Sequence, residues 1–123
     1  MHYRLALIGF GNVARSLARL LVRKQDVLKS KYDITFSFTG ISTGSHGCAV
    51  NPNGLDIQKA LNLVENGQSI HPISGSPVSN SLSVIQHSQA DVMFENSPVD
   101  YETGQPAIDH VRAALNAGMH VST

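Results

Sequence analysis

The sequence has 123 residues with a single cysteine, no tryptophan and no excess of charge of either sign. Since Cys48 has no second cysteine to pair with, and the first residues lack the pattern of a signal peptide, we expect a reducing, cytoplasmic setting. Nine basic residues balance nine acidic ones, which argues against a nucleic-acid or membrane-surface partner. The sequence also lacks any apolar run near the roughly 20 residues of a transmembrane helix.

Metal-ligand spacing is missing as well. Six histidines are scattered along the chain without the short spacings of metal sites, so no metal is predicted. What is present is an ordinary globular composition, with 41% hydrophobic and 15% charged residues. A chain of this length is about one domain. No linker or repeat divides it, which predicts one domain over residues 1–123.

Strand and helix patterns alternate along the chain. Strands are predicted over residues 4–8, 32–42 and 90–95, and again over 119–123. Between them, apolar residues recur with helical spacing in three segments: Val13, Leu17, Leu20 and Leu21; Ile57, Ala60, Leu61 and Val64, ending near Gly67; and Ala107, Val111, Ala114 and Leu115, ending near Gly118.

The connecting segments are less regular. Residues 43–54 are predicted to be a loop, and residues 68–80 hold at most one short strand, followed by a brief helix near residues 82–85. The next loop offers Thr103 as a helix N-cap, with Pro106 in the first turn. The order β-α-β-α-(β)-α-β-α-β predicts an α/β fold: a Rossmann-like, doubly wound, mainly parallel sheet with helices on both faces.

Two glycines stand where the first strand gives way to the first helix. Gly9, Gly11 and Ala14 match the GxGxxG/A spacing of the dinucleotide-binding turn. There the first glycine makes a tight turn, the second lets a diphosphate approach backbone N–H groups, and the third small residue lets helix and strand pack closely. The preceding apolar strand supports a dinucleotide site. The alternatives are a tight turn without a ligand, in this fold or in a flavodoxin-like or other α/β domain.

The end of the second strand bears on which dinucleotide is bound. An acidic residue normally lies about 20 residues after the glycines and holds the ribose hydroxyls of NAD. This chain has residues 42–46, STGSH, at that place, and Asp33 lies at the opposite end of the strand. Hydroxyls, backbone donors and His46 would accept a 2′-phosphate that a carboxylate would repel. NADP is therefore favoured over NAD, which stays an alternative.

The loop after the strand at residues 90–95 is expected to border the same ligand. In a doubly wound sheet the ligand lies beyond the carboxyl ends of the strands, where the strand order reverses. Residues 96–98 are thus expected near the nicotinamide half. Glu95 is interpreted as a partner for the N-terminus of the next helix rather than a catalytic group, and Asp100 and Glu102 as acids in the first turn of that helix.

Over nearly its whole length the sequence resembles the N-terminal nucleotide-binding domain of homoserine dehydrogenases. The likeness is carried by LIGFGNVARSLARLL, by GISTGSHG with NPNGLD, and above all by residues 91–123. In that last stretch a strand, a serine-containing loop, an ETG-P helix start and an AL-AG-HV-T ending follow in the family's order. Ala14 stands where the family more often has glycine.

The resemblance implies an oxidoreductase that interconverts L-homoserine and L-aspartate 4-semialdehyde with NAD(P), on the route to threonine and methionine. The residues it assigns to the cofactor are Gly9, Phe10, Gly11, Asn12 and Val13 for the pyrophosphate, Ser42 and Thr43 for the adenosine ribose, and Asn96 and Ser97 for the nicotinamide ribose. In the family, the catalytic and substrate groups lie in a following domain. The chain stops at Thr123, before them, so we expect it to be inactive alone.

The competing interpretation is a non-catalytic Rossmann-type module that senses a dinucleotide or docks another protein. Self-association into a homo-oligomer is also left open. If a second domain normally covers part of this chain, the surface that it leaves uncovered would be apolar and could pair with another copy.

Overall fold

A five-stranded sheet with helices on both faces forms the framework of the computed structural model, which describes residues 1–98 and 100–123. The strands are β1 (His2–Ile8), β2 (Thr35–Ser42), β3 (Cys48–Val50), β4 (Val92–Glu95) and β5 (His120–Ser122). The α-helices are α1 (Asn12–Tyr32), α2 (Ile57–Glu65), α3 (Ser81–His87) and α4 (Ala107–Asn116), and His71–Ile73 form a short 3-10 helix. The predicted α/β fold is confirmed.

The sheet has the strand order β3-β2-β1-β4-β5. Strand β1 lies at its centre and pairs in parallel with both β2 and β4, while β5 pairs in parallel with β4. The chain first passes from β1 to β2 on one side and later crosses to β4 on the other, so the winding direction reverses at β1. This is the predicted doubly wound, mainly parallel topology.

Strand β3 shows that the prediction of a loop over residues 43–54 was wrong in part. It pairs antiparallel with the end of β2, with Ile41 opposite Ala49 and Ser42 opposite Cys48. All three of its residues are buried. A buried strand of three residues shows no alternation, so the glycine and asparagine around it hid the strand. Residues 68–80, where a short strand was considered, contain the 3-10 helix instead.

Alternate residues of β1 supply the two halves of the core. Leu5 and Leu7 pack on one face of the sheet with buried residues of α1 and α2. Ala6 and Ile8 pack on the other face with buried residues of α3 and α4. Each large aliphatic side chain buried in this way contributes about 1.5–3 kcal/mol. The two packed faces hold β1 rigidly at the centre of the sheet, and its carboxyl end with it.

Helix α1 meets the sheet through smaller residues than its apolar pattern predicted. Ala14 and Ala18 are the buried residues of the helix, whereas Val13 is 72% exposed and Leu20 is 41% exposed. Leu17, in contrast, packs against the core. Small side chains let a helix lie close to the strand before it, which is the packing role of the third position in the glycine pattern.

Helix α4 also differs from its prediction. Its buried residues are His110 and Ala114, while Leu115 is 59% exposed. The helix begins at Ala107 with Pro106 as N-cap, so the predicted cap at Thr103 was wrong.

The turn before α4 has its own hydrogen bonds. The Asp100 carboxylate accepts the backbone N–H groups of Glu102 and Thr103 at 2.8 and 3.2 Å. Asp100 and Glu102 therefore belong to this turn and are not acids of the first helical turn, where Asp109 lies.

Two kinds of feature are missing from the part of the chain that the structure describes. None of its helices combines the length and the apolar character needed to cross a membrane. It also contains no group of three or more histidine, cysteine, aspartate or glutamate side chains arranged to hold a metal ion.

Candidate functional site

Three loops meet at the edge of the sheet formed by the carboxyl ends of its parallel strands. They are the turn after β1, the turn after β2 and the loop after β4. The backbone N–H of Gly9 donates to the carbonyl of Ser42 at 2.9 Å, and that of Asn96 donates to the carbonyl of Ile8 at 2.7 Å. The sequence-predicted site residues of all three loops are thus tied together where the winding reverses, the usual ligand position in such sheets.

Gly9 is required by the packing of this junction. Its φ is +91°, and a Cβ atom there would lie 2.6 Å from the backbone carbon of Asn96 and 2.7 Å from the nitrogen of Ser97. Both neighbours are main chain and cannot move aside cheaply. The first glycine of the pattern therefore lets the loop after β4 lie against the turn after β1.

Gly11 has the opposite surroundings. It is the N-cap of α1 in an extended conformation, with φ −80° and ψ −162°, and its helix start carries no side-chain cap from the described residues. A Cβ at Gly11 would meet no atom of the described residues beyond its chain neighbours within 4 Å. The N-terminus of a 21-residue helix, with its unpaired N–H groups and partial positive charge, therefore opens onto free space, an arrangement suited to an anion.

The residues around Gly11 have distinct environments. Phe10 is 4% exposed and packs in the core, while the Val13 side chain projects into solvent. The Asn12 side chain accepts a hydrogen bond from the Arg15 Nη2 at 2.7 Å. Phe10 and Val13 can therefore contact a ligand through their backbone. Asn12 can also do so, while its side-chain oxygen is bonded to Arg15.

Arg15 is a site residue that the sequence analysis missed. Besides its bond to Asn12, its Nε donates to the carbonyl of Gly11 at 3.3 Å, so its guanidinium is folded back over the first turn of α1. Arginines at 15, 19 and 23 recur on one face, a pattern typical of a solvated stripe. The sequence does carry one indication of this role: Arg15 follows the second glycine by four residues, about one helical turn, so its side chain can reach the start of the helix. Arg19 instead pairs with Glu65 of α2.

The hydroxyl groups at the turn after β2 form hydrogen bonds within the protein. The Ser42 hydroxyl is 2.5 Å from the Ser81 hydroxyl at the start of α3. Thr43 Oγ1 donates to the carbonyl of Gly47 at 2.7 Å and accepts the N–H of His46 at 2.6 Å. At the tip of the turn, the Ser45 hydroxyl and the His46 Nδ1 are 3.0 Å apart. The Thr43 hydroxyl is thus occupied by bonds to the backbone of the turn, whereas the side chains of Ser45 and His46 bond only to each other among the described residues.

A buried polar cluster lies at the end of β4. Glu95 is 5% exposed and His110 is 6% exposed. The Glu95 carboxylate accepts the backbone N–H of Ser97 at 2.7 Å, the Ser97 hydroxyl, and His110 Nδ1 at 2.6 Å. Glu95 does bind the following helix, as expected, but it does so through a side chain of that helix. His110 went unnoticed because it was counted with the scattered histidines, although it lies one helical turn before buried Ala114.

A cleft of about 690 Å³ joins the three loops, within the usual size range of small-molecule sites. Four of the predicted residues line it, Gly9, Ser42, Thr43 and Ser97, together with His110. Neither aspartate nor glutamate is among the described residues that line it, so the walls do not repel an anion. The other predicted residues do not line the cleft; of these, residues 11–13 lie on the exposed surface beside Gly9.

Comparisons with known proteins give a consistent result. No protein-family model matches the sequence. The chain is 36% identical over 119 residues to a homoserine dehydrogenase of Methanocaldococcus jannaschii, which covers 95% of this chain and 34% of that protein. It is 33% identical over 125 residues to a protein of Pseudomonas canavaninivorans named NAD(+)-dependent homoserine dehydrogenase, covering 98% of this chain and 35% of that protein.

Solved structures show the same fold. The crystal structure of homoserine dehydrogenase from Thermoplasma acidophilum superposes with a TM-score of 0.74 at 23% identity, over 98% of this chain and 34% of that one. A hyperthermophilic archaeal homoserine dehydrogenase mutant in complex with NADPH superposes with a TM-score of 0.66 at 16% identity, over 98% of this chain and 43% of that one.

The two curated relatives confirm the predicted resemblance to homoserine dehydrogenases. This chain spans about one third of the length of those relatives. It is similar to the homoserine dehydrogenases over nearly all of its own length.

Proposed function

We propose that residues 1–123 form the NAD(P)-binding domain of a homoserine dehydrogenase-like oxidoreductase, which interconverts L-homoserine and L-aspartate 4-semialdehyde. The observation that carries this proposal is the uncapped N-terminus of α1, with Gly11 open to space, beside a cleft whose described lining contains no carboxylate. The relatives named above support the same class of cofactor, since one is named NAD(+)-dependent and one solved structure holds NADPH.

The diphosphate would bind at the turn after β1. The N–H groups of Gly11, Asn12 and Val13 lie at the positive end of α1, and helix N-termini of this kind hold phosphates in dinucleotide-binding folds. The Arg15 guanidinium, held over the same turn, adds a full positive charge. Phe10 contributes through its backbone, because its side chain is buried.

The adenosine ribose would lie against the turn after β2, with Ser42 and Thr43 shaping it and Ser45 and His46 offering donors at its tip. No acidic residue occupies this turn, so nothing in it repels a 2′-phosphate. We therefore propose that NADP(H) binds more tightly than NAD(H), which the site would also admit.

The nicotinamide ribose would lie against Asn96 and Ser97. When bound, the cofactor supplies or accepts the hydride. The part played by this chain is to hold the reactive end of the cofactor in one orientation, because the loop after β4 is fixed against Gly9 and Glu95. Homoserine binding and proton transfer are assigned to residues outside this chain, which by itself would turn nothing over.

Titration calorimetry with NADPH and NADH side by side tests the proposal. We expect NADPH to bind, more tightly than NADH, and we expect no homoserine-dependent change in NADPH absorbance with this polypeptide alone. A chain that is folded by circular dichroism and binds neither dinucleotide would contradict the proposed function. A dehydrogenase rate that persists through purification would contradict the assignment of the catalytic groups.

Three further properties of the protein stay predictions. They are the place of the enzyme on the route to threonine and methionine, a cytoplasmic location, and self-association into a homo-oligomer. Gel filtration of the chain at several concentrations would test the last of these directly.

A further inference from the structure

The buried pair Glu95 and His110 has a feature that packing alone does not explain. Both side chains are more than nine-tenths buried, yet His110 also lines the cleft. Polar groups in such positions need hydrogen-bond partners, because an unpaired buried group costs free energy. Both carboxylate oxygens of Glu95 have hydrogen-bond partners, and so does one of the two ring nitrogens of His110.

The hydrogen bonds of Glu95 require a hydrogen on Nδ1 of His110. A glutamate carboxylate only accepts hydrogen bonds. Each of its partners must therefore donate: the Ser97 N–H at 2.7 Å, the Ser97 hydroxyl, and His110 Nδ1 at 2.6 Å. In the neutral imidazole, a hydrogen on Nδ1 leaves Nε2 with a lone pair and no hydrogen. Nε2 is then an acceptor.

The environment of Nε2 follows from the hydrogen bonds around it. Within residues 1–98 and 100–123, every fully buried side-chain nitrogen or oxygen has a hydrogen-bond partner. The hydrogen bonds of the His110 side chain to these residues all involve Nδ1, including a long one of 3.4 Å to the Ser97 hydroxyl. Nε2 is therefore not sealed inside the described part of the protein, and His110 is one of the residues that line the cleft.

We propose that His110 Nε2 accepts a hydrogen bond from the nicotinamide end of the bound dinucleotide, and that Glu95 is the positioning residue that keeps the ring in the accepting tautomer. This inference rests on the proposed function. The ligand group would be a neutral donor, and the nicotinamide end of the cofactor has two kinds: the hydroxyls of the nicotinamide ribose and the carboxamide NH₂ of the ring.

Replacing His110 by asparagine separates the two roles of the ring. An asparagine amide can still donate to Glu95 from about the place of Nδ1, but it has no atom in the place of Nε2. The variant therefore keeps the buried pair while it loses the acceptor in the cleft. Three ligands are titrated: NADPH, 2′-phospho-ADP-ribose, which lacks the nicotinamide, and 2′-phospho-ADP, which lacks the terminal ribose as well.

We expect H110N to bind NADPH about fivefold to tenfold more weakly than the wild type, the effect of one neutral hydrogen bond, and to bind 2′-phospho-ADP equally well. Weaker binding of 2′-phospho-ADP-ribose as well would assign the donor to the ribose. Unchanged binding of it would assign the donor to the carboxamide. His87→Ala, at an exposed histidine of α3, serves as control and should change none of the three affinities.

The outcomes distinguish this inference from the proposed function. If the folded wild type binds none of the three ligands, the proposed function fails. If the wild type binds them and H110N binds NADPH equally well, the inference alone is overturned. Equal weakening of all three ligands in H110N would also overturn it, because a general distortion of the cleft would then explain the loss.

A spectroscopic measurement tests the role of Glu95 without activity. Long-range ¹H–¹⁵N spectra of the free wild-type chain should show His110 with hydrogen on Nδ1 and a bare Nε2. In Glu95→Gln, the amide oxygen is needed by the Ser97 N–H, so the amide NH₂ faces Nδ1 and the hydrogen should move to Nε2. An unchanged tautomer in Glu95→Gln, or hydrogen on Nε2 in the wild type, would contradict the assignment.

Discussion

Gly9 and Gly11 stand two residues apart in the same turn and have opposite surroundings. A Cβ atom at Gly9 would collide with the backbone of Asn96 at 2.6 Å, whereas a Cβ atom at Gly11 would meet no atom of the described residues beyond its chain neighbours within 4 Å. The first glycine is needed by the fold itself. No contact within residues 1–98 and 100–123 requires the second glycine, so the space beside it points to a ligand. A glycine pattern thus combines a packing requirement with a binding requirement, and only the second carries information about function.

The largest expected effect is on stability, at Gly9. Gly9→Ala should lower the free energy of unfolding by about 3 kcal/mol, from the overlap with the Asn96 main chain together with the left-handed φ. Urea denaturation followed by circular dichroism measures this loss. Gly67→Ala is the matched control, because Gly67 also has positive φ, at +72°, but no atom within 4 Å; it should cost about 1–2 kcal/mol. Equal losses in the two variants would show that Gly9 is not crowded.

The next effect is on binding, at Gly11. Gly11→Val should weaken NADPH binding about a hundredfold, equivalent to about 2.7 kcal/mol, because its methyl groups occupy the space proposed for the diphosphate. Stability should change by about 1 kcal/mol or less, since the extended backbone there suits any residue. Gly11→Ala, with one methyl group, should give an intermediate loss of affinity. If Gly11→Val binds NADPH as tightly as the wild type, the space beside Gly11 does not hold the diphosphate, and the proposed binding role of the second glycine is wrong.

A smaller effect compares two arginines of α1. Arg15→Gln should weaken NADPH binding about fivefold, and the loss should shrink in high salt because the side chain is only partly buried and salt still screens its charge. Arg19→Gln, one turn away, should leave affinity unchanged. It should lower stability by less than about 1 kcal/mol, since the Arg19 and Glu65 side chains are 46% and 41% exposed and solvent screens their pairing. Calorimetry at two salt concentrations separates these results, and equal affinity losses in both variants would argue for a general charge effect.

The architecture was predictable where the sequence pattern was long. The apolar run of β1, the helical spacing of α1 and the glycines between them gave the first crossover and the place of the candidate site. The short strand β3 was not predictable, because three buried residues carry no period. Its existence depends on pairing with the end of β2, a contact that single-sequence periodicity does not show.

The helix faces and the polar cluster show a different limit. In α1, Leu17 packs against the core as its spacing predicted, but Val13 and Leu20 are exposed, and the close approach to the sheet is made by Ala14 and Ala18. In α4 a buried histidine occupies a core position because Glu95, fifteen residues earlier, pairs with it. Such a pair cannot be recognised from either residue alone, since each by itself is more often a surface residue.

The most direct test of the central claim is an NMR titration of ¹⁵N-labelled chain with NADPH. If the open start of α1 holds the diphosphate, the backbone amide signals of Gly11, Asn12, Val13 and Ala14 should show the largest shifts, and inorganic pyrophosphate should move the same signals in the same direction. Shifts that appear elsewhere in the cleft while these four amides stay in place would contradict the claim.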